Sequence, residues 1–393
     1  MPEAIQGQAA GGGAAALRSP LEGAHARAGA SVREQDECVV PAHFGDAGAE
    51  YEAVRGGGAG LFDLSGRGRV EVSGGEAVQF LNGMVTNDVA GLGDGAWMHA
   101  AFPNPQGRLL ASARVLRDGD RFVFDTEPAT YPALLRTLER FTLAGDFRVR
   151  DLTPATALLS LQGARAAEFV GAVLGDAVAG LARGRVATVR GDAGGEPVLA
   201  VRTTHTAEDG FDIFVGAGEA PALWHSFTEA GARPAGFDAL EVLRVEAGVP
   251  RYGVDASDAN VVLEVVDEAE AVSYTKGCYA GQEIIARIHW RGHVAKRLAG
   301  VVFARDAEPP ADARLRDCAE GREAGRVTSS AYSPRLRRHV ALALVKYDFL
   351  APGTELKVFA EGAEVCAAHV AELPLVRGGW YAKAPAADAG ESA

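Results

Sequence analysis

From residue 296 onward the helical period disappears from the chain. Ala299 to Phe303, Gly325 to Ser329, Val340 to Val345, Glu355 to Val358 and Cys366 to Ala371 are short strand-like runs separated by turns. Evenly spaced short strands predict a small β-barrel, expected here as a separate domain over residues 296–381. Before it, strands and helices alternate too irregularly for a doubly wound parallel sheet. The expected class is therefore α+β, with two packed units of split β-α-β type ahead of the barrel.

The first unit opens with Arg69-Val70-Glu71-Val72, which alternates like a half-buried strand, and Ser73-Gly74-Gly75-Glu76 has the spacing of a helix capping box. The helix that follows carries Ala77, Val78, Leu81, Met84 and Val85 on one stripe. Pro103 to Arg108 reads as a hairpin connection, followed by strands at Leu109 to Leu116 and Arg121 to Phe124. A helix after Pro128 presents Tyr131, Leu134, Leu135, Leu138 and Phe141, an apolar face that core packing explains without a cofactor. The second unit repeats the style, with strands at 147–152, 157–161, 198–202 and 211–215 and helices at 164–174 and 220–230. A short helix over 20–30 and another from Asp238 to Ala247, stopped by Gly248, complete the reading.

A chain of 393 residues with 48% apolar and 23% charged residues can bury a sizeable core and divide into two or three domains. No run of about 18 consecutive apolar residues is present, so no membrane-spanning helix is expected. Residues 1–18 and 382–393 read as loose tails, the first a poor secretory signal, and the cytoplasm is the expected location. Four cysteines, Cys38, Cys278, Cys318 and Cys366, lie too far apart for a locally encoded zinc site, and no metal is expected. The net charge of −13 argues against nucleic-acid or anionic-membrane binding by the surface as a whole. Within Lys276 to Asp348, however, 14 Lys+Arg face 8 Asp+Glu, with Arg287, His289, Arg291, His293, Lys296 and Arg297 close together. That run is either a solvated face or a patch for an anionic ligand or partner.

The stretch richest in chemistry is Lys276-Gly277-Cys278-Tyr279-Ala280-Gly281-Gln282-Glu283. Two glycines permit a tight turn or a close backbone approach to a ligand. A lysine two residues from a cysteine can favour the nucleophilic thiolate, although a glycine-rich turn holding a small buried thiol is the plainer reading. Thr86-Asn87-Asp88 is likewise either a capped helix end or a ligand edge.

With Gly60 to Ser65, Phe80 to Asp88, Asn104 to Arg108 and Lys276 to Glu283 in this order, the chain resembles the folate-binding family that contains the glycine-cleavage T-protein (aminomethyltransferase) and YgfZ. The last block is similar to the YgfZ signature. The resemblance implies two intertwined ferredoxin-like α+β domains over residues 19–290 and the barrel, arranged as a ring around a tetrahydrofolate site. It implies that Glu264 holds the pterin, whose amino group and ring N–H a carboxylate can accept together. Tyr252, Asn87 and Asp125 are then expected nearby, with Cys278 facing the folate as thiolate, Lys276 favouring that form, and Gln282, Glu283 and Arg287 fixing the loop or the folate tail. T-proteins carry a catalytic aspartate about one turn after the Asn-x-x-Gly block, where this chain has Leu109-Leu110-Ala111-Ser112. The resemblance thus favours a monomeric YgfZ-like accessory protein for iron–sulfur enzymes, with tRNA modification served only indirectly. The alternatives are a folate-dependent aminomethyl- or methyltransferase, and an interaction module built on the basic run.

Overall fold

The computed structural model describes residues 16–140, 142, 145–190, 197–304, 309 and 312–382. Both expected tails fall largely outside this range, as does Phe141 of the predicted helix face.

Two antiparallel-rich sheets and a barrel carry the fold. The first sheet runs Trp97–Pro103, Leu109–Asp118, Arg121–Thr126, Gly68–Ser73, Arg148–Asp151. The second runs Val186–Val189, Val198–Arg202, Gly210–Gly216, Thr156–Gln162, Gly60–Asp63, Arg233–Pro234. Gly60–Asp63 belongs to the second sheet although it precedes every strand of the first. The chain therefore starts one unit, builds the other, and returns, so the two cannot separate without breaking strand pairs.

Strand alternation decides what lies between the sheets. In the first sheet Val70, Val115 and Phe124 point to the helices Ala77–Asn82 and Tyr131–Glu139, where Leu81, Leu134 and Leu138 cover them. The opposite phase, Leu116 and Val123, meets Leu199, Val201 and Phe214 of the second sheet. On the far side of that sheet Leu161, Phe211 and Ile213 pack under Phe169, Trp224 and Phe227.

The barrel closes with six strands, Lys296–Phe303, Arg338–Lys346, Glu323–Ser333, Arg314–Asp317, Glu355–Ala360 and Ala363–Ala371. Arg314–Asp317, with charge at three of its four positions, carries no apolar run and escapes pattern reading. Two further differences have local causes. Ser73 ends a strand instead of capping a helix, and the Glu76 carboxylate accepts from the Asp146 amide at 2.7 Å, so no capping box forms. The hairpin Ser31–Gln35/Cys38–His43 and the helix Ala47–Arg55 occupy a stretch in which the sequence shows no clear period.

Helix Phe237–Ala247 joins the sheets to the barrel and ends at Gly248, whose φ of +77° suits a residue without a side chain. Near that end the fully buried Glu246 accepts from Tyr51 Oη at 2.8 Å and Arg55 Nε at 3.0 Å, and Ser333 Oγ donates to it from the barrel. Removing the carboxylate leaves the buried Arg55 guanidinium with Glu208 as its one remaining carboxylate partner among the described residues. Glu246→Ala should therefore cost about 3–5 kcal/mol, against about 1 kcal/mol for Ser333→Ala, as read by urea unfolding.

Candidate functional site

The inward phase of both sheets becomes charged at one end. Arg114 and Asp125 are direct cross-strand partners, and Arg114 Nε and Nη2 lie 2.8 and 2.6 Å from Asp125 Oδ2. The same Nη2 reaches across to Asp212 Oδ2 on the second sheet, and Nη1 donates to Thr203 Oγ1 at 3.0 Å. Arg67, in the turn that links the sheets, donates to Asp125 Oδ1 at 2.8 Å, and His205 Nε2 lies 2.8 Å from Asp212 Oδ2. Both aspartates are fully buried. Burial alone would raise their pKa values. Arg114 and Arg67 around Asp125, and His205 and Arg114 around Asp212, outweigh it and hold both carboxyls below the usual carboxylate range.

Arg67 and His205 of this seam line an open cleft, about 710 Å³ counted out into solvent, between the N-terminal hairpin, the linking turn and the start of the segment after Gly248. Within the wall Glu127 is paired to Arg67, and Glu241 to Arg244 and Arg251. Arg244 also donates to Asp255 and to Ser329 of the barrel. The Nε groups of Arg244 and Arg251 are buried without a hydrogen-bond partner among the described residues. Such orphaned donors suit an acceptor on a ligand. Cys38 lines the cleft as a thiol, pushed up to about 11 by burial and then by Asp36 and Glu37. Beside the seam Arg114 lies 5.9 Å from the Trp97 ring centre. The neighbouring His99 side chain keeps 44% exposure, yet burial and the nearby Arg114 and His205 pull its pKa down to about 4.

The Lys276–Glu283 stretch is a shaped loop on the outer edge of the first sheet. Lys276 Nζ donates to the carbonyls of Asn82, Val85 and Asn87 at 2.6–2.7 Å, so the ammonium pins the loop to the end of helix Ala77–Asn82 instead of facing Cys278. Burial pulls its pKa down to about 8, with Asp88 pulling upward. Tyr279 is buried among Ala101, Leu109 and Ile285. Gly281 has φ +77°, and a Cβ there would stand 2.4 Å from the Asn104 carbonyl. Between these anchors Cys278 is exposed. Gln282, Glu283 and Arg287 follow on helix Gln282–Arg291, the first half-buried and the other two exposed.

The remaining expected residues are divided. Asp125 is in the seam. Asn87 Nδ2 donates to the carbonyls of His99 and Glu270, so it clamps those two segments together. Glu264, 7% exposed, accepts from Asn260 Nδ2 at 2.8 Å. Tyr252 follows Arg251 of the cleft wall and packs in the cluster that holds Leu263 and Val265. Glu264, Tyr252 and Cys278 are not in the wall of the 710 Å³ cleft. Sequence reasoning passed over Arg67, Arg114, His205, Asp212 and Arg244. The available signal was a charge at the inward phase of an apolar strand, as in Ala113-Arg114-Val115 and Phe211-Asp212-Ile213.

An α+β pair of interlocked units, a six-stranded C-terminal barrel and a charged small-molecule cleft at their junction define the class of protein. Residues 21–267 match the family described as GCVT N-terminal domain, and residues 296–376 match the glycine cleavage T-protein C-terminal barrel domain. The chain is 34% identical to an aminomethyltransferase of Rubrobacter xylanophilus, covering 84% of this chain and 87% of that protein. It is 32% identical to one of Geobacillus kaustophilus, covering 92% and 98%. The crystal structure of glycine cleavage system aminomethyltransferase T from Bartonella henselae superposes with a TM-score of 0.81 at 24% identity, over 92% of this chain and 98% of that one, which bears on the fold. This chain belongs to the aminomethyltransferase-like GCVT family. No helix among the described residues is long and apolar enough to cross a membrane.

The seam should govern stability in a pH-dependent way. Asp125 and Asp212 titrate lower in the folded than in the unfolded chain. Their stabilisation is therefore complete above the unfolded value of about 4 and is lost as pH falls through the folded values. Arg114→Met should cost about 3–5 kcal/mol at pH 7, a gap that urea unfolding should show shrinking on acidification below about pH 4.

Proposed function

We propose that this protein binds tetrahydrofolate in the charged cleft and serves iron–sulfur enzymes as an accessory protein of the YgfZ kind. The observation that carries the reading is position 111. Ala111 is 1% exposed within the apolar cluster of Phe102 and Phe124, so no carboxylate stands there to handle a folate proton. The cysteine of the Lys276–Glu283 loop is instead open to a partner.

The unpaired Nε–H groups of Arg244 and Arg251 suit the carboxylates of a folate tail. We assign the pterin to Glu264, outside the cleft wall on the segment that continues from Arg251, and the handling of a partner to Cys278 with Gln282, Glu283 and Arg287 around it. Bound tetrahydrofolate would supply one-carbon chemistry. The clients are iron–sulfur proteins or their assembly machinery, with tRNA reached only through them, and a cytoplasmic monomer is the form proposed. Folate-dependent aminomethyl transfer is the second reading. It is supported by the near-full-length likeness to proteins named aminomethyltransferase, and it requires a base other than residue 111.

Calorimetric titration of tetrahydrofolate should show binding to wild type and Cys278→Ser, with Glu264→Ala at least about tenfold weaker, the loss of one charge-assisted contact. Equal binding by all three would remove Glu264 from the site, and no binding by wild type would end the folate reading. In a deletion strain Cys278→Ser should fail to restore iron–sulfur enzyme activity. Turnover of tetrahydrofolate with an aminomethylated lipoyl carrier would move the assignment to the second reading.

A further inference from the structure

Helix Gln282–Arg291 has a sheltered side and an open one. Ile285 is fully buried and Ile288 packs beside it, in the cluster of Leu109, Leu263 and Tyr279. Glu283, Arg287, Trp290 and Arg291, spaced i, i+4, i+7 and i+8, form the open side and are all exposed. Water accounts for the three charged residues there but not for the indole. At 70% exposure Trp290 is the most open of the large apolar side chains among the described residues.

The indole is also held in place. Its ring stands edge-on to that of His289, with centres 4.5 Å apart, and 6.1 Å from Tyr274, which stacks on His289 at 3.9 Å. Glu268 ties this group down, accepting from Tyr274 Oη at 2.8 Å and bonding His289 Nδ1. Just beyond the helix, His293 stacks on the exposed Tyr347 at 3.7 Å. Single exposed apolar residues are commonplace, whereas an ordered cluster of open rings marks an interaction site. An anchor fixed before contact loses little side-chain entropy on binding.

The rim of the cluster is cationic. Residues 282–297 hold four Lys+Arg, Arg287, Arg291, Lys296 and Arg297, against Glu283 alone, in a chain of net charge −13. Arg287 and Arg291 are in no ion pair among the described residues. Arg297, on the first barrel strand, lies close enough to act electrostatically on Glu268 and Tyr274. Aromatic residues and arginine are the types enriched at protein interfaces and their hot spots. Four cations are few for a nucleic-acid backbone, where about 6–10 phosphates are commonly neutralised. The acidic remainder of the chain also repels a long polyanion or an anionic bilayer. A second copy related by a two-fold axis would set the same cations against one another. A protein surface needs only a few carboxylates around an apolar pocket.

We propose that the open side of helix Gln282–Arg291, with Tyr347, docks an acidic protein, Trp290 entering an apolar pocket and Arg287, Arg291 and Arg297 meeting carboxylates around it. Cys278 lies in the turn just ahead of the helix. Docking stands without the folate reading, and only delivery of the docked partner to Cys278 rests on the accessory-protein reading.

The test places photoreactive benzoylphenylalanine in the full chain in its native cells, at position 290 and, as a control, at the exposed position 332 of the barrel. Illumination should give a discrete adduct from position 290 and none from 332, and mass spectrometry should find the crosslinked peptide of the partner rich in Asp and Glu. Adding Arg287→Glu and Arg291→Glu should lower the adduct yield at least about tenfold. The partner, once purified, should bind Trp290→Ala at least about tenfold more weakly than wild type, and binding to wild type should weaken as salt rises. No adduct, an adduct with RNA or with this chain itself, a contact peptide without acidic residues, or wild-type affinity in Trp290→Ala would each overturn the proposal. An acidic partner at position 290, with iron–sulfur enzyme activity restored by Cys278→Ser, would leave docking standing and end the accessory-protein reading. The reverse pair of results would end docking alone.

Discussion

One guanidinium, that of Arg114, is clamped between buried carboxylates on two different sheets, Asp125 on its own and Asp212 on the other. Charges taken so far out of water are stable only as a completed set. Arg67 from the linking turn, and Thr203 and His205 from the turn before Gly210–Gly216, complete it. The sheets can therefore close in one register only. A one-residue slip in either strand would send Arg114 or Asp212 into the opposite apolar face and leave its partners buried and unpaired.

The interlocked path of the chain puts this seam where a ligand can use it. Because Gly60–Asp63 pairs in the second sheet and Gly68–Ser73 in the first, the turn between them carries Arg67 into the seam and Gly66 to the cleft wall. Helix Phe237–Ala247 then brings Arg244 to the same cleft and Glu246 to the barrel. Charge neutralisation inside the walls leaves two donors unpaired, the Nε groups of Arg244 and Arg251. The Lys276–Glu283 loop is a separate device. Its lysine, tyrosine and second glycine hold it against the first sheet, and the cysteine is left facing out.

Much of this was legible. The apolar spacing of Tyr131, Leu134, Leu135 and Leu138, the strands of the first unit and the change of pattern at residue 296 correspond to formed elements, because each has one apolar phase and one buried face. The cysteine loop was legible as a shaped turn. The role of Lys276 was not, since its acceptors are main-chain carbonyls nearly two hundred residues away, and carbonyls have no sequence signature. The seam was hidden for a related reason. Asp212 stands 98 residues from Arg114 in the chain, and a charge inside an apolar strand reads as a solvent-facing residue until the second sheet is known to cover it.

The central claim is that tetrahydrofolate occupies the cleft beside the seam. Hydrogen–deuterium exchange with and without tetrahydrofolate tests it most directly. The account predicts slowed exchange in residues 64–69, 203–212 and 244–255, which carry the cleft wall and its supports. Unchanged exchange in those three segments, with protection elsewhere or nowhere, would contradict it.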